Sequence, residues 1–184
     1  MPALDEDLQK KIKEFGAKPA GYSLNDKSFD AKGYKTAILR ATRDLTARTL
    51  TPQIPKPEDP VKETLIDTLL DEKNENSFLK KIEQYFCKDP LSDEDFDRWH
   101  DERCQEILRI LQCFYKNQNG TDVCYGKAQK IVNMTLKGCY CLQGATERDA
   151  YFQHCHMALD RFTLAWYNRT LKVAKFILEK NDLI

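Results

Sequence analysis

The segment Gly126-Lys127-Ala128-Gln129-Lys130-Ile131-Val132-Asn133-Met134-Thr135-Leu136-Lys137 carries the clearest helical signal in the chain. Ala128, Ile131, Val132, Thr135, Leu136 and Cys139 recur at i, i+3, i+4, i+7, i+8 and i+11, one face of a helix with 3.6 residues per turn. That stripe is the face a helix buries. Lys127, Lys130, Met134 and Lys137 fall on the opposite face. The pattern predicts a helix capped by Thr121 or Asp122, running to about Leu142 and ended by Gly144.

Segments on either side repeat this period. Upstream, Ser92 is a good N-cap, and Asp93, Glu94 and Asp95 sit at the positive end of the helix it opens. The stripe Phe96, Trp99, Cys104, Ile107, Leu108, Leu111 and Tyr115 makes that helix long, and Asn117-Gln118-Asn119-Gly120 stops it. Asn76 or Ser77 caps a helix containing Phe78, Leu79, Ile82, Tyr85 and Phe86. Pro60 suits the first turn of another that runs to about Glu72. Residues 51–60 hold four prolines and read as an extended connector. Further helices are expected over 4–15, 30–48, near 146–154 and over 160–180. No strand alternation and no internal repeat is evident. The expectation is an all-α fold, one compact domain of about eight helices spanning 1–184.

Composition agrees with that class. Seven glycines and seven prolines are too few for a turn-rich all-β chain. A chain of 184 residues buries roughly 70% of its unfolded surface, so a core forms without staples. No apolar run approaches the length of a membrane span, so no membrane partner is expected. The first residues, Met1-Pro2-Ala3-Leu4-Asp5-Glu6-Asp7, lack the apolar core of a secretory signal, and a cytoplasmic location is expected. Seven cysteines, an odd number without paired zinc spacing, read as reduced and mostly buried thiols.

The formal net charge is zero, which excludes a uniformly basic nucleic-acid binder. The charges are nevertheless segregated. Lys32 to Lys56 holds six bases and one acid, Asp44, and Val123 to Thr146 holds three lysines and no acid. Glu58 to Glu106 holds sixteen acids against seven bases. A neutral total therefore conceals a potential basic face.

The Gly126–Lys137 segment resembles the helix-hairpin-helix DNA glycosylase superfamily, whose hairpin leads into a helix reading Gly-x-Gly-x-Lys-x-x-Asn-x-x-Leu. Gly126, Lys130, Asn133 and Leu136 stand in that register, with Ala128 at the second glycine. The family's catalytic Asp opens a later helix after a turn, usually Pro-Val-Asp. Here Ala158-Leu159-Asp160 stands before the apolar-periodic Phe162 to Trp166. The thirty-residue step from Lys130 to Asp160 is similar to the extended connection of the archaeal 8-oxoguanine DNA glycosylase branch. The resemblance covers about 40 of the 184 residues.

The resemblance implies a DNA N-glycosylase with lyase activity, acting in base-excision repair on a flipped-out damaged base. Lys130 would attack the sugar C1′ and Asp160 would assist as the carboxylate. The turn Tyr125-Gly126-Lys127-Ala128 and the Lys137 side chain would contact phosphate, with DNA as the partner. No cofactor is implied, and the iron–sulfur cysteines of some members are missing. The residues alone leave other readings open. Lys127, Lys130 and Lys137 are also what a solvated helix face looks like, and Asp160 is a common N-cap type. Trp99, Trp166, Tyr140 and Tyr151 are base-stacking or core candidates, and His100 reads as a surface or hydrogen-bonded residue. His154, Cys155 and His156 are too close in sequence to bind one ion unaided, so no metal site is expected. A non-catalytic helical module for a protein or nucleic-acid partner is the main rival, and a defence or stress protein is a third.

Overall fold

The computed structural model describes Lys10, Glu14 and residues 23–53 and 64–156. Of the helix expected over 4–15 only Lys10 and Glu14 are described, both helical, and the helix expected over 160–180 and most of the proline-rich stretch lie outside the described residues. What is described is mostly helical: five α-helices, one 3-10 segment and one small two-stranded sheet. None of these helices is long and apolar enough to cross a membrane.

Helix α1 is Ala31–Thr49, and the Asp30 side chain caps it by accepting from the backbone N–H of Lys32 and Gly33. It runs directly into strand β1, Leu50–Pro52. Helix α2, Leu65–Leu70, starts after Thr64 in a reciprocal capping box with Asp67, later than a start at Pro60. Ser77 caps α3, Phe78–Cys87, and Ser92 caps α4, Asp93–Phe114, both as its sequence suggests. Strand β2, Tyr115–Asn117, follows α4 and pairs antiparallel with β1, Leu50 opposite Asn117 and Pro52 opposite Tyr115.

Helix α5 is Tyr125–Cys139, shorter at both ends than its stripe suggests. Thr121 and Asp122 do not cap it because they are engaged in the turn before it. The Asn117 side-chain amide donates to the Thr121 hydroxyl and to the Asp122 carbonyl, and Lys116 pairs with the Asp122 carboxylate. Gly144, in the left-handed region at φ 85°, then turns the chain into the 3-10 segment Ala145–Phe152.

The core forms where α5 packs between α1 and α4, with α1 its most extensive partner. Ile131, Val132, Leu136 and Cys139 of the predicted stripe are buried, as are Ile38 and Leu45 of α1 and Phe96, Ile107 and Leu111 of α4. Close approach of α1 and α5 depends on small residues: a Cβ on Gly138 would lie 3.0 Å from the Ala37 Cβ. At the end of the same interface Gly33 faces Ser28 and Leu142. Within the same core the rings of Phe29, Tyr34, Tyr85, Phe86 and Phe152 join α1, α3 and the 3-10 segment, Phe29 edge to face on Tyr34 and Phe86, and Tyr34 stacked on Phe86.

Candidate functional site

The α1/α5 contact places the two acid-poor segments of the chain side by side. Lys127 Nζ donates to the Thr49 carbonyl at 2.9 Å, and so completes the negative end of α1. Lys130 Nζ lies 4.0 Å from Asp44 Oδ2, with about a quarter of the lysine side chain exposed. Towards the other end Arg40 and Lys137 both act on the Cys141 thiol, which burial nonetheless pushes up to about 11. Arg40, Lys130 and Lys137 thus belong to this seam, with the Asp44 carboxylate beside Lys130 and acting on Arg40, and Arg43 stands exposed one turn from Arg40 on the same helix.

Burial, followed by the neighbouring Lys130, holds the Lys127 ammonium below its ordinary value. Of the turn expected to face phosphate, Tyr125 donates its hydroxyl to Asp101 at 2.7 Å, and Ala128 is fully buried in the core. Gly126 faces open space and Lys137 is exposed. Asp160 lies outside the described residues.

A second constellation was hidden in the sequence. Asp93, Asp97 and Asp101 stand at i, i+4 and i+8 on α4, and all three histidines of the chain gather around that row. His154 Nδ1 pairs with Asp93, and His156 Nε2 lies 2.8 Å from Asp97 Oδ1. The ring of His156 meets that of His100 edge to face at 4.3 Å. His100, 2% exposed, donates Nε2–H to Asn133 Oδ1 of α5 at 2.7 Å. This bond fixes the neutral tautomer with a bare Nδ1. Cys104 Sγ lies 3.8 Å from both ring nitrogens, and burial pushes that thiol up to about 11. The signal that could have found the cluster is the four-residue repeat of acids on a helix that also carries a histidine on its core side.

Chemically, the cluster orients imidazoles more than it exposes them. The His156–Asp97 pair fixes one ring against a carboxylate, the positioning half of an acid–base arrangement. The described residues include no group of three His, Cys, Asp or Glu side chains able to hold a metal ion. None of the seven cysteines is in a disulfide, but they are not mostly buried as the sequence suggests: Cys104 and Cys139 are buried, Cys141 and Cys155 are half-buried, and Cys87, Cys113 and Cys124 are exposed, because the last three fall on or beside the solvent faces of their helices. Burial also raises Cys139, and Cys155 to about 12, so these thiols are protonated at neutral pH.

His100 makes the fold acid-sensitive. Burial holds its pKa below the ordinary 6.5, against the Asn133 bond and the Asp97 and Asp101 carboxylates, and with His156 acting in the same direction as burial. In the unfolded chain it binds a proton from pH 6.5 downward, so acidification favours unfolding. Stability from this residue is complete above pH 6.5 and falls as the pH drops from there towards the folded-state pKa. Urea midpoints measured between about pH 7.5 and 5 should fall by an amount that His100→Gln removes. An unchanged pH dependence in that variant would assign the effect elsewhere.

A scan against protein-family models finds no match to this chain, and neither the curated proteins nor the solved structures contain a significant one.

Proposed function

We propose that this chain is a nucleic-acid-binding helical domain that lays the α1/α5 seam along a phosphate backbone. What supports the reading is that two acid-poor segments, distant in sequence and separated by acid-rich chain, fold as neighbours. Arg40, Arg43, Lys130 and Lys137 supply the cations, and the acid-rich α4 packs on α5 as well, giving the domain an electrostatic polarity. The polarity favours one orientation on a polyanion and disfavours the reverse. Fluorescence anisotropy of a labelled duplex across a salt series tests it. Engagement of three or four phosphates gives a slope of log K against log salt of roughly −3 to −4. A slope near zero would remove the phosphate contacts.

One juxtaposition favours a more specific reading, a DNA N-glycosylase/lyase of base-excision repair with Lys130 as the nucleophile. Lys130 has a carboxylate across the seam in Asp44, able to receive the proton an attacking amine must lose. The amine adds to C1′ of the damaged nucleotide, the base leaves, and the resulting Schiff base is reducible. Borohydride in the presence of abasic duplex should trap a covalent complex with the wild-type chain. Lys130→Gln should abolish trapping, whereas Lys127→Gln, which loses only the contact to Thr49, should retain it. Trapping that survives Lys130→Gln and disappears with Lys127→Gln would move the nucleophile to Lys127. No trapping in any form would leave binding without chemistry.

A further inference from the structure

We infer that the cleft between α3 and α4 is a binding site for a small organic anion, a carboxylate carrying a compact apolar body. This site is separate from the α1/α5 seam and does not depend on nucleic-acid binding. The cleft has a volume of about 300 Å³, at the small end of the range for ligand pockets. Its walls divide by chemistry. Lys81 and Gln84 come from α3 and Lys88 is the extended residue that ends it, and Arg103 faces them from α4. Leu91, Trp99 and Tyr85 provide the apolar part.

The concentration of cations here runs against the composition around it. Between Glu58 and Glu106 acids outnumber bases sixteen to seven, yet three of those seven bases line this one cleft. Arg103 is the centre of the site. It is 7% exposed, an unusual burial for an arginine. Its Nη2 donates to Glu102 and Glu106 at 3.1 and 2.9 Å. Its Nε–H is buried and has no partner among the described residues. The guanidinium also lies over the Trp99 ring at 5.9 Å, and that ring further meets a stacked Tyr85 at 4.5 Å and a tilted Phe96 at 5.9 Å.

These contacts define the ligand. Glu102 and Glu106 offset the Arg103 charge, so the excess positive charge that selects an anion comes from Lys81 and Lys88. Lys81 and Lys88 call for an oxygen acceptor, which a carboxylate supplies and an ammonium does not, whereas the Arg103 Nε–H is closed off from solvent and is no contact for the ligand. The Trp99 ring is already occupied by Tyr85 and Arg103, so an apolar body would rest against its edge and against Leu91 rather than stack between faces. A multiply charged polyphosphate would meet Glu102 at the rim, which favours a single carboxylate.

Benzoate is a suitable probe, with benzamide as its uncharged analogue and acetate as the head group without the body. Trp99 emission in a Trp166→Phe chain reports binding, and saturation-transfer NMR on the unaltered chain reports it independently of any tryptophan change. Benzoate should bind saturably with Kd on the order of 1 mM, and benzamide and acetate roughly tenfold or more weakly. Lys88→Ala, at an exposed position whose loss leaves the core intact, should weaken benzoate by about three- to tenfold. Lys81→Ala should act in the same direction. Absence of saturation up to roughly 50 mM benzoate at constant ionic strength would overturn the site. So would equal binding of benzoate and benzamide, or wild-type affinity in both lysine variants.

Discussion

Gly33→Ala is expected to cost about 3 kcal/mol of stability, among the largest single effects of any one-methyl addition to this chain. A Cβ at Gly33 would lie 2.2 Å from the Ser28 carbonyl oxygen and 2.9 Å from the nearer Leu142 methyl. The carbonyl is backbone and cannot rotate aside. It is also held in place by its surroundings. Asp30 N–H donates to that same oxygen, Ser28 bridges to Gln143, and Gln143 N–H donates to the Lys27 carbonyl. The first turn of α1 must therefore move away from the end of α5, and the Asp30 cap moves with it. For a chain of this length a loss of that size lowers the melting temperature by roughly 6 to 12 °C. Gly126→Ala is the matched control. The added methyl meets open space on a helical residue, so stability should rise by about 0.5 to 1 kcal/mol. Thermal melts of the two variants should move in opposite directions, and a Gly33→Ala chain as stable as wild type would contradict the α1/α5 geometry.

Reversing charge on the seam is expected to remove duplex binding while leaving the fold intact. Arg43→Glu with Lys137→Glu changes the local charge by four at two exposed positions. Loss of two phosphate contacts, with repulsion added, should weaken affinity by about 100-fold or more at low salt and flatten the salt slope by roughly two. The comparison that isolates the seam is an equal change on α4. Asp97 is avoided because it holds His156, but Glu94→Lys with Asp95→Lys adds the same magnitude of charge at exposed positions. On the proposed orientation that pair leaves specific docking unchanged and adds only nonspecific affinity. Equal losses or equal gains from both pairs would show that overall charge, rather than this face, governs binding.

The helical architecture was readable because its signals are local and periodic. The Ala128–Cys139 stripe, the Ser77 and Ser92 caps and the acidic first turn of α4 each depend on neighbours within a turn or two. The strand pair was not readable. Leu50–Pro52 and Tyr115–Asn117 are three residues each, too short for alternation to show, and they form because α1 and α4 end side by side. The start of α5 shifted for a similar reason, since Asn117 and Lys116 engage the very residues whose side chains would have capped it. At the site, charge segregation indicated a basic face, and the packing of α1 on α5 assembled it from two distant segments. The destinations of individual side chains were not indicated. Lys127 reaches Thr49, and Tyr125 reaches Asp101, through contacts that sequence spacing does not encode. The His100–Asn133 bond is of the same kind: a polar pair closed across the α4/α5 core, from residues whose sequence neighbours suggested a surface or motif role.

Backbone amide shifts of the labelled chain, followed as a short duplex is added at low salt, test the central claim most directly. The account predicts that the largest changes fall on residues 40–47 of α1 and 130–139 of α5, and that they collapse as salt is raised. Changes centred on the acidic face of α4, or none at saturating duplex, would contradict it.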